Sequence, residues 1–124
     1  MNDPIITVIF LLIGFGVKHF ICDFLLQFNY MVKEKGIYGA YGGLHHAGLH
    51  GFFTFVVLLP YAPGIALHAA FVDFVLHYHI DWTKQKLNKG LTPADRKFWI
   101  WLGLDQALHY LTYIGFILWW YLAK

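Results

Sequence analysis

The sequence predicts an all-α protein, a four-helix transmembrane bundle made of two helical hairpins related by a pseudo-twofold axis. Of its 124 residues, 59% are hydrophobic and 20% are aromatic, which is more apolar than soluble domains of this length. Four apolar stretches are separated by short glycine-rich, proline-containing or basic connections. Residues 1–124 are therefore interpreted as a single integral membrane domain surrounded by the lipid bilayer.

The first predicted span covers residues 5–31 and contains a stripe of polar side chains with a spacing of four. On a helix these side chains share one face. They are His19, Asp23 and Gln27. An ionised group at the centre of a membrane helix costs roughly 2.5–3.5 kcal/mol on insertion scales, so this face is predicted to point into the bundle. Lys18, beside the stripe, is predicted to pair with Asp73 of the third span.

The second predicted span, residues 43–59, carries His46 and His50 in its first two turns. Small residues on one side of this helix would let a neighbouring backbone approach closely. They are Gly43, Ala47 and Gly51. The uncharged turn at residues 60–64 is so short that the second and third spans are predicted to be antiparallel neighbours.

The third and fourth predicted spans are residues 65–87 and 92–122. The third carries a second polar stripe of the same spacing, formed by His77, Asp81 and Gln85. The fourth carries Asp105 and His109, with tryptophans near both of its ends, as is typical of helices that reach both membrane interfaces.

Basic residues gather in or beside the first and third connections, while the second connection carries no charge. They are Lys33, Lys35, Lys84, Lys86, Lys89, Arg96 and Lys97. The excess of positive charge places these connections in the cytoplasm, so both termini are predicted on the non-cytoplasmic side, in a bacterial inner membrane. All four polar stripes then fall at one depth. The net charge of +2 is too small to indicate nucleic-acid binding.

An internal repeat relates the halves, residues 5–60 and 64–122. The pattern H-x-x-x-D-x-x-x-Q begins at His19 and again at His77, and each second helix carries a further pair of polar residues. Two spans per unit preserve orientation, so the pseudo-twofold axis should lie along the membrane normal. The two His-Asp stripes are then predicted to face each other across the centre of the bundle.

Eight imidazole and carboxylate groups are predicted to converge as metal ligands. They are His19, Asp23, His46, His50, His77, Asp81, Asp105 and His109. This donor set favours a divalent metal, zinc before iron, and is large enough for a dinuclear site. A hydrogen-bonded polar core without an ion is the alternative interpretation.

The function predicted from this set is an intramembrane metal-dependent enzyme, a hydrolase acting on a lipid or lipid-linked substrate near the cytoplasmic leaflet. The catalytic candidates are Asp23, Asp81 and Asp105 as bases and Lys84 at the polar head of the substrate. The candidates for contacting the cofactor or substrate are Gln27, Gln85 and Gln106. Alternatives are a histidine-rich di-iron oxygenase, a haem- or metal-binding module, and an ion transporter, which would need to form a homo-oligomer.

Four motifs together cover nearly the whole chain. They are H-x-x-x-D-F-x-L-Q at His19, H-x-x-x-H at His46, H-x-x-x-D-W-x-K at His77 and D-Q-x-x-H at Asp105. In this combination the chain resembles a family of small bacterial and phage integral membrane proteins of unknown function. The resemblance implies a membrane location and brings no activity. A looser similarity to membrane-bound metal-dependent hydrolases is an analogy only.

Overall fold

The computed structural model describes residues 3–124 and confirms the all-α class: within that range it contains five α-helices and no strand. The helices are α1 (Pro4–Phe20), α2 (Asn29–Glu34), α3 (Tyr41–Leu58), α4 (Pro63–Leu87) and α5 (Arg96–Leu122). A π-helical turn, Ile21–Leu25, continues α1.

The first predicted helix, residues 5–31, is interrupted in the structure. The π turn ends at Leu25, and the short helix α2 begins only after Phe28, whose backbone is extended. The Gln27 side chain donates to the Asp23 carbonyl at 2.8 Å and so occupies a backbone acceptor near the end of the helix. The wider π turn carries Asp23 itself, and such turns often occur at functional sites.

The fourth helix also differs from its predicted start, because α5 begins at Arg96 and not at residue 92. The Thr92 amide donates to the Asp95 carboxylate at 2.7 Å, which closes a turn ahead of the helix. The segment between α4 and α5 is therefore longer than the sequence pattern indicated.

Helices α3 and α4 form the predicted antiparallel hairpin, joined by residues 59–62. The small side of α3 lies against α4: a Cβ placed on Gly51 would be 2.8 Å from the Ala70 carbonyl oxygen. A side chain at this position would overlap the facing backbone, so the close approach depends on glycine.

Substitution of Gly51 tests this packing. We expect Gly51→Ala to lower the free energy of unfolding by about 1–3 kcal/mol, because the added methyl group overpacks the contact with Ala70. Gly48→Ala is the matched control, since a Cβ on Gly48 meets nothing within 4 Å. It should be neutral or stabilise the helix by up to about 1 kcal/mol. Thermal unfolding measures both changes, and equal melting temperatures would contradict the close packing of α3 and α4.

The interior is divided between an apolar end and a polar end. The apolar core lies where α1 and the beginning of α4 meet the second halves of α3 and α5, and it includes Leu11, Phe15, Leu58, Tyr113, Phe116 and Trp120. At the other end the buried side chains are mostly charged or polar, with histidines from α1, α3, α4 and α5. Large apolar side chains are exposed on the outside of all four long helices. The bundle is therefore apolar outside, while its interior is apolar at one end and polar at the other.

Only one helical segment among residues 3–124, Pro4–Leu25, is both long enough and apolar enough by composition to cross a membrane. The other long helices carry histidines, tyrosines, tryptophans and charged residues, which lower their hydropathy although many of these side chains face inward. Length and hydropathy thus identify one candidate span where the sequence pattern predicted four.

Candidate metal centre

The polar end of the bundle brings the eight predicted metal ligands together. Seven are buried and the eighth, Asp23, is 14% exposed at its side chain. Two subsets could hold a metal ion, because their donor atoms lie within 4.8 Å of one another. The first is Asp23, His46, His50 and His77, and the second is His77, Asp81 and His109.

Three of the eight predicted ligands, His46, His77 and Asp81, form a nearly equilateral triangle of donor atoms. The Nε2 atoms of His46 and His77 are 3.3 Å apart, and they lie 3.4 Å and 3.5 Å from Asp81 Oδ2. Ligands about 2.0–2.2 Å from one tetrahedral ion are separated from each other by about 3.3–3.6 Å. The triangle therefore already has the dimensions of three ligands on one zinc-sized ion.

The hydrogen-bond inventory of His46 and His77 limits their possible tautomers. Within residues 3–124, the Nδ1 atom of each ring has no hydrogen-bond partner. Two Nε2–H groups cannot point at each other across 3.3 Å, so at least one Nε2 presents a lone pair to the centre. If a metal ion took the lone pairs of both Nε2 atoms, both rings would carry their hydrogen on Nδ1.

Asp23 is held by three imidazoles. Its Oδ2 lies 2.9 Å from His19 Nε2, and its Oδ1 lies 2.8 Å from His50 Nε2 and 3.3 Å from His46 Nε2. The π turn directs this carboxylate to the meeting point of α1 and α3. Both of its carboxylate oxygens thus contact imidazole nitrogens.

His19 has contacts that define which nitrogen carries its proton. Its Nε2 faces two acceptors, Asp23 Oδ2 at 2.9 Å and Gln106 Oε1 at 2.9 Å, so Nε2 carries the hydrogen. The orientation of Gln106 is fixed because its amide donates to Asp105 at 3.0 Å. The other nitrogen, Nδ1, lies 2.8 Å from the Tyr113 hydroxyl, which donates to it. His19 therefore acts as a hydrogen-bond donor to Asp23.

The structure contains the predicted ion pair of Lys18 and Asp73. This pair determines which ring nitrogen of His50 carries the hydrogen. The Lys18 ammonium has three acceptors: Asp73 Oδ2 at 2.6 Å, and the Nδ1 and carbonyl oxygen of His50, each at 3.1 Å. Thr54 also donates to Asp73, at 2.6 Å. An ammonium can only donate, so His50 Nδ1 accepts and its Nε2–H is directed to Asp23.

Lys35 is a member of the site that the sequence analysis treated only as a topology marker. It is 6% exposed and donates to Gln27 Oε1 at 2.8 Å and to Asp81 Oδ2 at 3.2 Å. Burial alone would lower the pKa of Lys35, but the carboxylates of Asp81 and Asp23 outweigh this effect and raise it. Asp81 also accepts from His109 Nε2 at 3.2 Å.

Asp105 and Lys84 lie at the edge of the cluster, on α5 and α4. Asp105 Oδ1 is buried without a hydrogen bond among the residues described, and His109 Nε2 lies 3.5 Å away. The Lys84 ammonium is 3.8 Å from Asp105 Oδ2, beyond hydrogen-bond distance. Both side chains therefore keep unused hydrogen-bonding capacity.

A model of one protein family matches residues 8–123, which is nearly the whole chain. The protein belongs to this family, described as a protein of unknown function (DUF3307). No curated protein and no solved structure gives a significant match to the chain. Family membership assigns no activity, so the chemistry of this DUF3307 protein has to be argued from its own side chains.

The three glutamines predicted to contact the cofactor or substrate are separated by the structure. Gln27 and Gln106 bond to groups of the cluster, as described above. Gln85 instead lies outside it, against Gly36 in a surface groove that Lys33 and Lys89 also line. The two stripes differ here because α1 breaks before Gln27, whereas α4 continues as a regular helix past Gln85.

Equivalent positions of the two predicted halves make similar contacts. The carboxylate of Asp23 lies 2.8 Å from His50 Nε2, and that of Asp81 lies 3.2 Å from His109 Nε2. The rings of His50 and His109 are nearly parallel, with centroids 6.4 Å apart. The pseudo-twofold relation of the halves stays a prediction.

Proposed function

We propose that this DUF3307 protein is an intramembrane metal-dependent hydrolase that acts on a lipid or lipid-linked ester or phosphoester near the cytoplasmic leaflet. The observation that carries the proposal is the buried triangle of His46, His77 and Asp81, with edges of 3.3–3.5 Å, inside a bundle with an apolar exterior. Three protein ligands with one open position are typical of catalytic zinc sites.

Charged side chains are buried and apolar side chains are exposed, the reverse of a soluble protein, and this supports the proposed membrane location. Lys18 and Asp73 are 2% and 1% exposed, whereas Phe52 on α3 and Leu67 on α4 are 59% and 69% exposed. Apolar side chains are stable on an outer surface that lipid covers, and charged groups are then retained only in the interior. We therefore propose that α1, α3, α4 and α5 all cross the bilayer, with both termini on the non-cytoplasmic side.

The proton assignments favour one ion over two. His19 and His50 are oriented as donors to Asp23 by Tyr113 and Lys18, so their Nε2 atoms carry hydrogens and offer no lone pair to a metal. A second ion would require both histidines to give up these hydrogen bonds. We propose a single zinc ion on the triangle, with the other imidazoles positioning the carboxylates.

A bound zinc ion would supply Lewis-acid chemistry, polarising the scissile ester and making water more acidic. Asp105 Oδ1 is the carboxylate oxygen left without a hydrogen bond, so we assign it as the general base. It takes a proton from the attacking water as the new bond to carbon or phosphorus forms. When the ester bond breaks, the proton passes to the leaving oxygen. Lys84, 3.8 Å from Asp105, binds the polar head of the substrate.

Two observations favour this proposal over the alternative classes. A di-iron oxygenase needs enough ligands for two metal ions. Because His19 and His50 are engaged in hydrogen bonds, two of the eight predicted ligands do not serve a metal. An ion path across the bundle would need polar groups at both ends, whereas Leu11, Phe15 and Leu58 fill one end with apolar side chains.

Substitution of the assigned base tests the proposal. In liposomes loaded with zinc, we expect the protein to hydrolyse a p-nitrophenyl ester or phosphoester, and Asp105→Asn to lower kcat by about 10²–10⁴-fold, since general base catalysis is lost. The zinc content of the variant should stay near that of the wild type, because Asp105 lies outside the triangle. Asp95→Asn, at an exposed residue before α5, is the matched control.

Two results would contradict the proposal. One is a wild-type protein that binds no divalent metal when purified without chelator. The other is an Asp105→Asn variant that binds zinc and hydrolyses the substrate at the wild-type rate.

A further inference from the structure

An apolar groove lies between α4 and α5 and reaches Lys84 and Asp105 at the edge of the polar cluster. It has a volume of about 220 Å³, and its walls are mostly aliphatic and aromatic. They include Leu76, Ile80, Leu87, Trp101, Leu104 and Leu108. Lys84 and Asp105 also line the groove and are its charged groups. The groove is thus apolar along most of its length and open at the side of the bundle, and it contains the Lys84 ammonium beside the proposed base Asp105.

We infer that this groove binds the hydrocarbon chain of an anionic, single-chain lipid phosphoester and places its phosphate on Lys84. The inference rests on the proposed function and specifies its substrate class. The groove lies between two helices and has a volume of about 220 Å³, which we assign to part of one hydrocarbon chain.

The state of Lys84 is the first argument for an anionic head group. Its side chain is 12% exposed, and its ammonium forms no hydrogen bond with any residue in the range 3–124. The donors of an ammonium that has no acceptor in the protein are available to a ligand that can accept hydrogen bonds. The terminal oxygens of a phosphoester provide several acceptors and a negative charge, and lysine is a common phosphate ligand in proteins.

The charge balance of the cluster is the second argument. Asp23, Asp81 and Asp105 provide three negative charges, while Lys35 and Lys84 provide two positive ones. With neutral imidazoles and one divalent ion, one positive charge remains uncompensated. A neutral carboxylic ester would leave that charge in a poorly solvated site, whereas an anionic phosphoester neutralises it.

Photo-crosslinking tests the inference directly. The probe is hexadecyl phosphate carrying a diazirine on its chain, added to protein in phosphatidylcholine nanodiscs, with hexadecanol carrying the same group as the neutral comparison. We expect the phosphate probe to label the segment around Leu104 and Leu108. Lys84→Met should reduce that labelling about tenfold, because it removes a charge-assisted hydrogen bond. Labelling by the alcohol should be weak and unchanged.

Matched variants separate the groove from general effects. Lys86→Met removes an exposed lysine from the same helix, where its ammonium lies 5.5 Å from the Trp82 ring centre, and should leave labelling unchanged. Leu108→Trp fills the groove and should reduce labelling while Lys84 is intact. Equal labelling by the alcohol and phosphate probes, or full labelling of Lys84→Met, would overturn the inference.

The measurement is made on zinc-loaded and chelator-treated protein so that the two proposals can fail separately. Zinc binding by the wild type together with labelling that ignores Lys84 would overturn the lipid phosphoester and leave the metal site. Labelling that depends on Lys84 in a protein that never binds zinc would support the groove and overturn the metal-dependent hydrolase.

Discussion

The Asp81→Asn variant is expected to lose the bound metal ion almost completely. Asp81 Oδ2 is one corner of the donor triangle, 3.4 Å from His46 Nε2 and 3.5 Å from His77 Nε2. Asparagine preserves the shape of the side chain but removes the negative charge that holds a divalent ion. Loss of an outer hydrogen-bond partner typically weakens metal affinity by about 10–100-fold, and loss of a direct charged ligand should exceed that range.

The measurement is the ratio of zinc to protein in samples purified without chelator and then dialysed. Gln85→Leu is the control, because this residue lies on the same helix, one turn beyond Asp81, but outside the cluster. It should keep the wild-type metal content. Equal zinc content in Asp81→Asn and Gln85→Leu would leave the hydrogen-bonded polar core as the better interpretation of these side chains.

The convergence of the eight imidazole and carboxylate groups was predictable from periodicity. Spacings of four on helices of fixed pitch put His46 beside His50 and His77 beside Asp81, and the expected cost of exposing polar groups to lipid predicted that these faces point inward. No pattern in the sequence indicated the π turn that carries Asp23, because such turns depend on the tertiary contacts of the helix end. The predicted span therefore continued past the true end of α1.

Lys35 shows why one part of the site was missed. A lysine in a connection between apolar stretches is typical of a cytoplasmic loop, and the topology argument used it in that way. The break after α1 and the short helix α2 bring this residue back over the bundle, where Asp81 and Gln27 accept from its ammonium. Its role depends on the path of the chain outside the long helices, which spacing rules do not describe.

The roles of the histidines could not be separated by residue type either. His19, His50 and His77 are the same residue type on polar helix faces, and all were predicted as ligands. The Nδ1 atoms distinguish them. The Tyr113 hydroxyl donates to Nδ1 of His19 and the Lys18 ammonium donates to Nδ1 of His50, while Nδ1 of His77 has no partner among the residues described. These partners come from other helices, so only the assembled bundle shows which lone pairs face the centre.

The last prediction concerns the buried ion pair of Lys18 and Asp73, which contacts His50 of the candidate metal centre. Lys18→Met is expected to destabilise the folded protein by roughly 3–5 kcal/mol, because it leaves the charged Asp73 buried with only the Thr54 hydroxyl as donor. The exposed fractions of the two paired side chains are 2% and 1%, and their atoms are 2.6 Å apart, so water cannot replace the lost ammonium. Thermal unfolding in a mild detergent measures the loss.

A double variant distinguishes loss of the pair from simple loss of packing. Lys18→Met combined with Asp73→Val removes both charges with only a modest increase in volume at residue 73, so it should recover most of the stability that Lys18→Met loses. The Thr54 hydroxyl can then donate to the carbonyl of His50 on its own helix, which Lys18 no longer uses. A double variant as unstable as Lys18→Met would contradict this prediction, because the unpaired charge of Asp73 would then not be the cause of the loss.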